Sequence, residues 1–85
     1  MEFEMLNSVF ATVYLNGDEW GRVYRSTSRK DTDRWALARW EHGAIVQKEN
    51  FNSTSSIEFM VNVAEDNTIS VDMKVAIIST MQKLI

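Results

Sequence analysis

Residues 57–75 read IEFMVNVAEDNTISVDMKV, and the period assigned to this stretch decides the architecture of the chain. Ile57, Phe59, Val61 and Val63 alternate with Glu58, Met60 and Asn62, and Ile69, Val71, Met73 and Val75 alternate with Ser70, Asp72 and Lys74. Strict alternation is the signature of a strand with one face buried. A loop over 64–68 then predicts a hairpin that pairs Val63 with Ile69, Val61 with Val71, Phe59 with Met73 and Ile57 with Val75, and sets Glu58 opposite Lys74. Ile57, Met60, Val61 and Ala64 also fit a helical spacing, but that spacing accounts for neither the second run nor the charge pair. The hairpin is the expected structure, and a charge placed at Val61 is expected to be buried and costly.

Outward from this stretch, the C-terminal residues 76–85 change period. Ile77, Ile78, Met81, Leu84 and Ile85 form one apolar stripe, which predicts a short helix held by docking on a sheet. Toward the N-terminus, VFATVYL (9–15), a turn at Asn16-Gly17 and WGRVYRST (20–27) predict a first hairpin. If its arms pair with equal parity, Val9, Ala11, Val13, Leu15 and Val23 share one face, and Phe10, Thr12, Tyr14, Trp20, Arg22 and Tyr24 share the other. Residues 34–50 admit a helix capped by Thr32 or Asp33, or two strands, 34–41 and 44–48, about a turn at His42-Gly43. The strands are preferred, because 44–46 must begin a strand in either case and 28–33 has the polarity of a loop joining two long arms. The expected fold is therefore α+β and β-rich: one domain over residues 1–85, an antiparallel β-meander of about five or six strands with a C-terminal α-helix on one face.

Composition bounds the chemistry. The 85 residues contain no cysteine, which excludes disulfides, thiolate metal sites and a cysteine nucleophile, and agrees with a cytoplasmic protein. No apolar run is long enough for a membrane span, and no membrane partner is expected. His42 is the single histidine, and no serine occupies a nucleophile turn. Asp31-Thr32-Asp33 starts like a calcium loop, but Ala36 and His42 stand where glycine and a bidentate glutamate are required. The three glycines are too far apart for a phosphate loop. Neither an enzyme nor a cofactor is expected.

Charge is uneven. The net charge is −3, yet residues 20–40 hold six of the nine basic side chains. Arg22, Arg25, Arg29, Lys30, Arg34 and Arg39 stand among Trp20, Tyr24, Trp35 and Trp40, guanidinium groups for phosphate interleaved with flat rings for bases. One helix covers only one face of a sheet, so the face carrying Phe10, Tyr14, Trp20 and Tyr24 lacks a cover. The six basic and four aromatic side chains of 20–40 are the candidate binding site of a small non-enzymatic protein that engages RNA or a nucleoprotein as an inhibitor or regulator. A protein–protein interaction or assembly role, a homodimer included, is the alternative, since exposed rings with arginine are also the composition of protein-binding hot spots. In size and character the chain is similar to small cysteine-free accessory proteins of phages and plasmids that inhibit a host enzyme, a likeness that no motif supports.

Overall fold

The computed structural model describes residues 5–28 and 33–85, with side chains over 9–26 and 33–85. Four strands come first, β1 (Met5–Leu15), β2 (Asp18–Ser28), β3 (Asp33–Glu41) and β4 (Ala44–Ser53), in one antiparallel meander of order β1-β2-β3-β4. Two helices follow, α1 (Ser56–Glu65) and α2 (Val71–Met81), then a single 3₁₀ turn at Gln82–Leu84. The fold is α+β and β-rich, with four strands where five or six were expected.

The β1–β2 and β3–β4 connections are tight because both central residues of each turn adopt left-handed backbone. Asn16 and Gly17 have φ of 54° and 86°, and His42 and Gly43 have 53° and 84°. That is the geometry whose twist matches the strands it joins, and Asn-Gly satisfies it at least steric cost. The first hairpin and the strands on either side of His42-Gly43 thus form where the sequence predicts them. A register shift between Val13 and Tyr14 pairs Val13 with Gly21 but Tyr14 with Glu19. The extra residue is Trp20, and this bulge carries its ring out of the expected Phe10–Tyr24 face and against the core.

Residues 57–63 and 69–75 do not form a hairpin; they lie in α1 and α2. Each helix carries apolar residues on two opposite sides. In α1, Phe59 and Val63 are fully buried while Ile57 and Val61 are 69% and 45% exposed; in α2, Met73 and Ile77 are buried while Val71 and Val75 face outward. Two stripes of i, i+4 spacing, offset by two residues, add up to an apolar residue at every second position, which imitates a strand. The local signals that settle the matter are caps. Ser55 Oγ accepts from the Glu58 amide at 3.1 Å and Ser70 Oγ from the Met73 amide at 3.2 Å. Glu58 does not meet Lys74: its carboxylate accepts from the Thr54 amide and hydroxyl at 2.8 and 2.9 Å, while Lys74 donates to the Ala64 carbonyl at 2.7 Å.

Both helices lie on one face of the sheet, α1 against β3 and β4, α2 against β1 and β2. Val13, Val23, Trp35, Leu37 and Phe51 from the strands close on Phe59, Val63, Met73, Ile77 and Met81 from the helices. The terminal helix begins at Val71, earlier than expected. Ile77 and Met81 are buried as predicted, Ile78 and Leu84 are partly buried, and Ile85 is exposed. Among the described residues, no helix is long and apolar enough to cross a membrane.

Candidate binding face

With both helices on one side, no element among the described residues covers the opposite face of the sheet. Strand alternation sends Phe10, Thr12 and Tyr14 of β1, Arg22, Tyr24 and Ser26 of β2, and Arg34, Ala36, Ala38 and Trp40 of β3 to this side. At one end the rings gather around Arg22. Its guanidinium carbon lies 4.7 Å from the Phe10 ring centre and 5.5 Å from that of Trp40, and the Phe10 and Tyr24 rings are 5.5 Å apart. Glu19 closes the cluster: its carboxylate is 3.4 Å from Arg22 Nε and accepts from Trp40 Nε1 at 2.6 Å. The Tyr24 hydroxyl, with Glu19 contributing less, holds the Arg22 guanidinium above its ordinary value. Phe10 and Tyr14 remain about half exposed or more.

Beside this cluster the face is concave. Ala36 and Ala38 put only methyl groups on β3 between the larger Tyr24 of β2 and Ile45 and Gln47 of β4, leaving a trough of about 650 Å³. Arg34, Asn52, Thr54 and Glu58 line it too, and Gln47 donates to Asn52 at 2.9 Å. The trough exists because the RWALARW stretch is a strand: the spacing of its two alanines puts both on the same side.

The ten candidate side chains do not act as one set. Arg22, Tyr24, Arg34 and Trp40 share the uncovered face. Trp20, Arg25, Trp35 and Arg39 point to the helix side, and Arg29 and Lys30 lie outside the described residues. Trp35 is a core residue, 2% exposed, with its ring 5.9 Å from that of Phe59. Arg25 is a structural clamp. It stacks over Trp35 at 5.4 Å, donates to the Leu84 carbonyl at 2.5 Å and pairs with Asp33 at 3.0 Å, tying the C-terminal turn to the sheet. Arg39 lies over Trp20 at 5.1 Å on the same side. The basic cluster of the sequence is thus divided between two faces by the period of the strand. On the uncovered face Arg22 is paired with Glu19, and Arg34 lines the same trough as Glu58.

His42 occupies the β3–β4 turn, and among the described residues no group of acidic or histidine side chains could hold a metal ion. Comparison with protein-family models, curated proteins and solved structures finds no match to this chain.

Proposed function

We propose that the protein is a non-enzymatic protein-binding module, and that its helix-free sheet face receives an apolar side chain of a protein partner in the trough over Ala36 and Ala38. The observation that carries this reading is the trough itself: a concave, alanine-floored site of about 650 Å³ set beside an aromatic cluster with arginine at its centre. Concavity and a few convergent polar groups suit an inserted anchor residue, and rings with arginine supply the composition of an interface centre. The charge of the face favours protein over nucleic acid. A phosphate chain needs several cations without acidic neighbours, whereas Arg22 is already engaged by Glu19.

Single-stranded RNA remains a second reading for one specific reason. Phe10, Tyr24 and Trp40 stand on an uncovered four-stranded sheet, the arrangement on which bases stack in several RNA-binding folds. The two readings separate in one experiment with the intact protein, the variant Ala36→Phe and the variant Arg22→Ala. Affinity capture from the source cells, followed by mass spectrometry, should retain a protein with the wild type and lose it with Ala36→Phe, which fills the trough. Oligo(U) should show no salt-sensitive binding. If oligo(U) binds at low salt and Arg22→Ala weakens it with a flatter salt dependence, RNA is the ligand and the protein-partner reading is wrong.

A further inference from the structure

The four strands end in two edges, β1 and β4, and the edges differ. β4 carries Lys48 and Glu49 near its centre, and its register breaks: Leu37 pairs with Lys48, but Trp35 pairs with Ser53. Charge and irregularity of this kind are how an edge is kept from pairing with another chain. β1 carries no charge, and its register is unbroken from Asn7 to Val13, with shifts only towards its ends, between Met5 and Asn7 and between Val13 and Tyr14. Its eleven residues, MLNSVFATVYL, include no charged residue and no proline, and among the described residues no strand lies beyond it. Its centre is apolar on both faces, with Val9 on the helix side and Phe10 on the uncovered side each 49% exposed.

We infer that β1 pairs antiparallel with β1 of a second copy of this chain, joining two sheets into one of eight strands. The occupant follows from the absence of charge. In a two-fold antiparallel pair the residue at the axis faces itself and its neighbours face near-identical neighbours, so any charge near the centre would meet a like charge. A strand without charge over all eleven residues is compatible with its own copy; a strand bearing Lys48-Glu49 is less so. Side chains must keep to their faces across the pair, and a register centred on Phe10 pairs the unbroken segment 7–13 with its copy. It sets Val9 beside the partner's Ala11, with the two Val9 side chains diagonal across the axis. Because Val9 is on the helix side and the trough is on the other, loss of the dimer and loss of partner capture are separable.

The test is sedimentation of the full chain over a concentration series. Wild type should reach about twice its 9.8 kDa mass. Val9→Lys and Val9→Glu, each first shown by circular dichroism to melt cooperatively, should each remain monomeric at concentrations where wild type is dimeric. An equimolar mixture of the two should recover the dimer, read as a heterodimer by native mass spectrometry. In wild type, amides of 5–15 should become more protected from hydrogen exchange as concentration rises. A wild type that stays monomeric up to ~1 mM overturns the inference, as does a dimer that survives both single charges. A mixture that fails to re-associate while both variants are folded refutes the β1 pairing.

Discussion

Phe59 and Ile57 are two residues apart and opposite in consequence. Phe59 is fully buried against Trp35, so Phe59→Ala removes a large ring from the closed layer between sheet and helices and should cost ~3–5 kcal/mol. Ile57 is 69% exposed, so it retains at most about a third of the ~3 kcal/mol that full burial contributes, and Ile57→Ala should cost under ~1 kcal/mol. Alanine's better helix propensity reduces that further. The same contrast recurs in α2, where Met73→Ala should cost ~2–5 kcal/mol and Val71→Ala little or nothing. A domain of 85 residues has roughly 4–13 kcal/mol in total, so each buried truncation removes a large share and each exposed one leaves the transition nearly in place. Urea unfolding followed by circular dichroism and tryptophan fluorescence, with m held common, measures all four. A hairpin would place both members of each pair on one face. Equal costs within either pair would refute the helical assignment and the packing derived from it.

Two further outcomes follow from local geometry. Gly21→Ala should destabilise by about 1–3 kcal/mol in the same assay, because a Cβ at Gly21 would stand 2.3 Å from the Ala38 carbonyl oxygen of the neighbouring strand, and two adjacent strands must part to admit it. In acid, the Thr54 amide and hydroxyl hold Glu58 below the usual carboxyl range, as Thr68 does for Asp66 and Lys48 for Glu41. Depressed folded values mean that these groups stabilise the protein fully above the usual carboxyl range near pH ~4 and lose that contribution as pH falls through their lowered values. Glu58→Gln should therefore lower stability at neutral pH and flatten the acid limb of a stability–pH curve; an unchanged acid limb would show that the Thr54 bonds contribute nothing.

The strands were legible because their signals are local and single. Asn16-Gly17 and His42-Gly43 sit where left-handed backbone is needed, and the alternation of 34–41 has one meaning once the turn is fixed. The helices were not, because an outward apolar stripe in each overwrote the helical period, although Ser55-x-x-Glu58 carries the pattern of a helix start; the Ser55 hydroxyl makes its half of that cap, while the Glu58 carboxylate reaches back to the Thr54 amide instead. The uncovered face was legible in part. Phe10, Tyr14, Arg22 and Tyr24 keep their places on it, whereas Trp20 leaves at a bulge that no residue type announces. The grouping of six cations failed for a simpler reason: sequence proximity ignores that neighbours in a strand point to opposite sides. Arg25 and Trp35 look like binding residues in composition and serve the fold in fact. Ala36 and Ala38, which make the trough, have nothing in their chemistry to draw notice.

The paired stripes of α1 and α2 also bear on how the chain reaches this state. Ile57, Val61, Val71 and Val75 are exposed and all β-branched, gain little from the native packing and would be equally at home in a hairpin. The landscape of 56–81 therefore holds a rival basin that the outward side chains do nothing to exclude. What separates the basins is a few local bonds at Ser55 and Ser70 and the readiness of the sheet to accept Phe59, Val63, Met73 and Ile77 together. Because the meander is closed by short-range turns, we expect it to serve as the template on which this segment is decided, with commitment to helix coming on docking. An outward substitution that strengthens strand preference would leave every native contact of the core untouched and still slow folding, by deepening the competitor.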